Sequence, residues 1–127
     1  MGNLSAAYDN NVLDAFLGQG FTKPATVYVA LFVGSTEVSG GSYARIAVTN
    51  NATNWPNAAS GQKANGTTIT FPAPTANWGT VDKFRLYEHA TSDLPITDAV
   101  ALAVPRTISN GDGAPSFAAS ALTLQSV

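Results

Sequence analysis

The order of apolar and polar positions divides the chain into one short helical segment and a long region of strand-like alternation. From Leu4 to Leu17, the residues Leu4, Tyr8, Val12, Leu13, Phe16 and Leu17 fall near one helical stripe, with Asp9, Asn10, Asn11 and Asp14 elsewhere. This spacing predicts an amphipathic helix. Asn3 or Ser5 can cap its start, because a short side-chain oxygen accepts from the unpaired N–H groups of a first turn. The Gly18-Gln19-Gly20 run can end it. The stripe has two possible uses: packing on a sheet of the same chain, or docking as an arm on a neighbouring subunit.

From Thr26 onward the period becomes 2. Thr26 to Val33 is the clearest strand, with Val27, Val29, Leu31 and Val33 on one face. Tyr28, Ala30 and Phe32 occupy the other, so both faces are expected to be covered. Ser42 to Thr49 follows the turn signal Ser39-Gly40-Gly41, and Thr67 to Phe71 lies between Asn65-Gly66 and Pro72. Val81 to Glu88 places Val81, Lys83, Arg85 and Tyr87 opposite Asp82, Phe84, Leu86 and Glu88. Ile96 to Val104 and Phe117 to Leu124 complete the set. Short strands separated by Gly, Pro and Asn predict a mainly β fold: a β-sandwich or jelly-roll-like single domain with one N-terminal helix. The helix or arm takes residues 1–20 and the β domain residues 21–127. Asn50 to Gly66 lacks periodicity and reads as a long exposed loop. Trp55 in its middle either folds back onto the domain or anchors a contact, with Pro56 limiting the loop's freedom.

Composition sharpens this picture. The chain has 127 residues, enough for one domain, and 45% are hydrophobic, a normal globular value. Only 11% are charged, less than half the roughly 25% of ordinary soluble domains. Ala, Thr, Ser, Asn and Gly take the place of charge, giving a hydrogen-bonding surface suited to a protein that works packed against others. Net charge is −2, and the six cations are scattered singly, which argues against a nucleic-acid partner. There is no Cys. The N-terminus lacks a signal-peptide pattern, Ala6 stands where a myristoylation motif after Gly2 needs Ser or Thr, and no apolar run approaches a membrane span of about 20 residues. No membrane partner is expected.

The search for chemistry returns little. His89 is the single histidine, beside a turn, and too few imidazoles remain for most zinc sites. A Ser92, His89 and Asp93 grouping lacks a nucleophile elbow. Asn110-Gly111-Asp112-Gly113 resembles half a calcium loop without its later Glu and reads as a turn. No glycine run precedes a Lys-Ser or Lys-Thr pair, and the sequons at Asn51 and Asn65 carry little weight in an Asn- and Thr-rich chain. The expectation is no catalytic residue, no metal ligand and no cofactor.

Several runs together resemble a known group. Thr26-Val27-Tyr28-Val29-Ala30-Leu31-Phe32 leads into Glu37-Val38-Ser39-Gly40-Gly41-Ser42-Tyr43-Ala44-Arg45. Ile69-Thr70-Phe71-Pro72, Trp78-Gly79-Thr80-Val81, Phe84-Arg85-Leu86-Tyr87 and Gly111-Asp112 follow. The ordered set resembles small virion proteins of tailed bacteriophages, variously labelled tail-fibre-like proteins or capsid decoration (cement) proteins. The resemblance implies a β-rich particle component without catalysis. On the sequence, the preferred reading is a capsid decoration protein on the outer shell, bound to the major capsid protein and/or copies of itself as a homo-oligomer. The alternative is a tail- or tail-fibre-associated protein of host adsorption. A weaker one is a carbohydrate-binding module using Trp55, Trp78 or Tyr87 as stacking platforms. Candidate contact residues are Tyr8, Val12, Phe16, Trp55 and Pro56.

Overall fold

A computed structural model describes residues 3–18, 20 and 22–125. Gly2 and Gln19, which entered the readings of the N-terminus and the helix end, lie outside the described residues. The fold is mainly β with one N-terminal helix, α1 (Ala6–Phe16); its sheets are antiparallel and none of the described strands closes a barrel.

The central strand is β1 (Thr26–Val33), rich in β-branched and aromatic residues that fill a pleated, two-sided position. Two short strands share one of its edges: β2 (Thr36–Glu37) beside Phe32 and Val33, and β3 (Ile46–Thr49) beside Thr26 to Val29. Two more short strands, β4 (Gln62–Ala64) and β5 (Ile69–Thr70), precede β6 (Gly79–Tyr87), which pairs with the other edge of β1. β7 (Val100–Ile108) pairs with β6 at the outside of this five-stranded sheet. An edge position is where a strand tolerates Pro105, which has no N–H to donate. The second layer is two separate ladders, with β5 pairing β8 (Ser116–Phe117) and β4 pairing β9 (Thr123–Gln125). Val27, Val29 and Leu31 meet Phe71, Trp78, Val81, Phe84, Phe117 and Leu122 in the core between the layers. Burying one such side chain fully contributes about 1.5–3 kcal/mol. On the opposite face of β1, Ala30, Phe32 and Tyr87 form a small second cluster with Tyr28.

Four strands depart from the alternation read in the sequence. In β6 the register shifts between Val81 and Lys83, so that Val81 joins Phe84 and Leu86 in the core while Tyr87 turns to the other face. A bulge adds one residue and thereby breaks the period of 2. The strand expected from Ser42 begins only at Ile46, because Gly41 and Ser42 both adopt positive φ (59° and 66°). Gly41 also faces Trp78: a Cβ there would meet Nε1 at 2.9 Å. The strand expected from Ile96 begins at Val100, since the Ile96 and Thr97 N–H groups both turn to the Leu86 carbonyl. Phe117 to Leu124 splits into β8 and β9 around Ser120, whose φ is 71°.

Candidate interaction surface

The start of α1 is sewn to the domain. Ser5 caps it, its Oγ accepting from the Tyr8 N–H and donating to the Pro95 carbonyl at 3.0 Å, while its backbone N–H donates to the Ile96 carbonyl. Asn3 ties the beginning of the chain to β9 instead. Its backbone N–H donates to the Gln125 carbonyl, its Oδ1 accepts from the Gln125 N–H, and its carbonyl accepts from the Asp98 N–H. Tyr8, one turn into the helix, is buried and its hydroxyl donates to the Glu88 carboxylate. Burial, reinforced by that carboxylate, holds the Tyr8 phenol far above its ordinary range.

Beyond Tyr8 the packing thins toward the helix end. Val12, Leu13, Phe16 and Leu17 are 36%, 59%, 79% and 74% exposed. The stripe is therefore divided: Leu4 and Tyr8 pack on the domain, and the last turns carry their apolar side chains in solvent. Together these four expose on the order of 500 Å², the size of the largest apolar patch on a typical monomer, which is often functional. Among the described residues, the other exposed large apolar side chains are Val33, Leu94 and Val104, and Leu94 belongs to the loop that roots the helix. Residues 3–18 carry Asp9 and Asp14 and no cation, and the same loop adds exposed Asp93.

The segment from Asn50 to Gly66 is not a plain exposed loop, for it contains β4 and two buried residues. Trp55 is turned into the core, while Pro56 stays exposed beside Gly66. Asn65 is 2% exposed and joins three stretches of chain. Its Nδ2 donates to the carbonyls of Thr67 and Ala118 at 2.9 Å each, and its Oδ1 accepts from the Leu122 N–H, also at 2.9 Å. That burial leaves no room to read Asn65 as an exposed sequon. Beside this segment lies an open, polar cleft of about 510 Å³, lined by Asn57, Lys63, Ser120 and Thr123 among others.

Of the five contact candidates, Val12, Phe16 and Pro56 lie on the surface, and Tyr8 and Trp55 face inward. The structure brings Val12 and Phe16 together with Leu13 and Leu17, which were in the helical stripe but not among the candidates. Trp55 instead lies in the core cluster, to which none of these four belongs.

The remaining polar cluster is a latch. Arg45 grips Glu37 with two bonds of 2.9 Å, donates from Nη1 to the carbonyls of His89 and Ser92, and lies 3.6 Å from the centre of the Tyr87 ring. Burial pushes the Glu37 carboxyl up, but hydrogen bonds from Arg45 and Tyr43 and the guanidinium charge outweigh it and leave its pKa lowered. The latch orders the backbone at His89 and Ser92; among the described residues, no hydrogen bond links the His89 imidazole to Ser92 or Asp93. Asp112 likewise folds onto its own turn, accepting from the Ser109 N–H. No group of three or more potential metal-binding side chains occurs among the described residues. The stacking platforms of the carbohydrate-module reading are corrected by burial: Trp55, Trp78 and Tyr87 are 6%, 6% and 2% exposed, and Arg45 covers the Tyr87 ring.

No curated protein matches the chain in sequence. Residues 3–125 match the family model described as Podophage GP4 fiber I protein gp80. That match supports the tail-fibre alternative and lends nothing to capsid decoration; a structural fibre family also implies a non-enzymatic role. With 3–125 of its 127 residues inside the match, the chain belongs to this family of fibre proteins of the tailed-phage virion.

Proposed function

We propose that this chain is a fibre module that serves host adsorption, presenting its β domain outward and remaining attached through its N-terminal end. The family match over residues 3–125 carries this reading. The surface chemistry is consistent with it: few charges, many amides and hydroxyls, and a polar cleft beside β4 rather than a closed pocket with paired acid and base. A surface of this kind loses little charge solvation when it is covered, so repeated weak contacts at several copies can add up. The test is a phage carrying a stop codon in this gene. Its particles should retain their genome under heat and osmotic shock yet attach to host cells several-fold more slowly. Particles that attach normally but lose their genome would contradict the proposal.

A further inference from the structure

We infer that the free face of α1, formed by Val12, Leu13, Phe16 and Leu17, holds this chain on the particle by entering an apolar groove rimmed with Lys or Arg on a different virion protein, an inference that rests on the chain being a virion component and not on adsorption. Val12, Leu13 and Phe16 share one face of the helix, with Val12 and Phe16 at the i, i+4 spacing by which a helix lays a face into a groove, and the C-cap residue Leu17 extends the patch just past the last turn. None of them is needed by the domain's own core, whereas the first turn is fixed through Asn3, Ser5 and Tyr8. The free turns are thus held in one direction before any partner arrives, which lowers the ordering cost of docking.

Charge selects the occupant. Asp9 and Asp14 lie on the helix, Asp93 and Asp98 are exposed on the loop at its root, where Arg45 is paired with Glu37 and Arg85 is turned onto the Thr97 carbonyl, and the last turn of α1 contains no basic residue to offset the helix dipole. A second copy would bring the same carboxylates and the same helix end into the contact, and like charges across an interface are unfavourable. A cationic rim complements both the carboxylates and the helix C-terminus.

The test uses the purified full chain and particles from the stop-codon phage, counting copies bound per particle without host cells. Leu13→Asp combined with Phe16→Ser should lower binding at least about tenfold with an unchanged melting temperature. Asp14→Lys, which leaves every apolar side chain in place, should weaken binding about three- to tenfold at low salt, with the gap closing near 0.5 M. Light scattering should find the wild-type chain free of self-association through this face. Three results would overturn the inference: normal binding by the double variant, tighter binding by Asp14→Lys, or a wild-type oligomer that the double variant dissolves. Because host cells are absent, a failure of the adsorption reading leaves these measurements unchanged.

Discussion

The far half of α1 and the segment from Asn50 to Gly66 are both short excursions from the β domain, and their composition and burial run in opposite directions. The helix end is apolar and stands in solvent, while the segment is rich in Asn, Thr and Ala and sends Trp55 and Asn65 inward. The difference lies in what each can satisfy within one chain. Asn65 meets two carbonyls and one N–H, so its burial leaves that side chain's hydrogen-bonding groups paired. Among the described residues no second layer covers the helix after Tyr8, so its last turn carries apolar side chains outside the core. A polar segment can thus be structural core, and an apolar one can be surface kept for another molecule.

The strongest way to break this contrast is to remove the Asn65 amide. Asn65→Ala strands the Leu122 N–H and takes a donor from the Thr67 and Ala118 carbonyls, the latter keeping only the Ala121 N–H, and should cost about 3 kcal/mol, read as a melting temperature lower by roughly 10 °C. A loss below about 0.5 kcal/mol would return the segment to the status of an ordinary loop. Gly66→Ala probes the same clamp by steric means, since its Cβ would meet the Thr53 carbonyl oxygen at 2.3 Å and Pro56 Cδ at 2.7 Å. We expect about 2 kcal/mol of destabilisation in a denaturant titration.

The latch across the sheet supplies a pH-dependent check. Glu37→Gln should destabilise the domain by about 1–2 kcal/mol at neutral pH, because Arg45 then keeps its charge without its counter-ion. Glu37 has a folded-state pKa below its unfolded one, so its contribution is complete above the ordinary carboxyl pKa and fades as pH falls through the lowered folded value. Melting curves of wild type and variant should therefore converge on acidification, and a constant gap would contradict the assignment. The smallest effect belongs to the helix end. Leu13→Asp with Phe16→Ser should change stability by no more than about 0.5 kcal/mol, since neither side chain is packed in the isolated chain.

Much of the fold was legible because local signals agreed with the tertiary outcome. Residues Thr26–Val33 form a strand over the expected range, and the helix starts at one of two proposed caps, Ser5. The failures have local causes. The bulge at Asp82 is accompanied by a bond from the distant Gly34 N–H, and the turn at Gly41-Ser42 by Trp78 against Gly41 and Thr75 against Ser42, and none of these pairings is periodic in sequence. The helical stripe was visible, but its division at Tyr8 depends on Glu88, eighty residues away. In the sequence Asn65 reads as part of Asn-Gly, a turn signal, and of a sequon, and neither pattern reveals whether the side chain points inward. Trp55 could be placed in either of two ways from sequence, and the core takes it.

The most direct test of the central claim, that this is a fibre component attached through α1, is a density map of the whole particle. The expected result is the β domain within fibre density of the tail, with Val12, Leu13, Phe16 and Leu17 covered by a different protein whose nearby side chains include Lys or Arg. Density for this domain on the capsid lattice, or on a fibre with that face of α1 open to solvent, would contradict it.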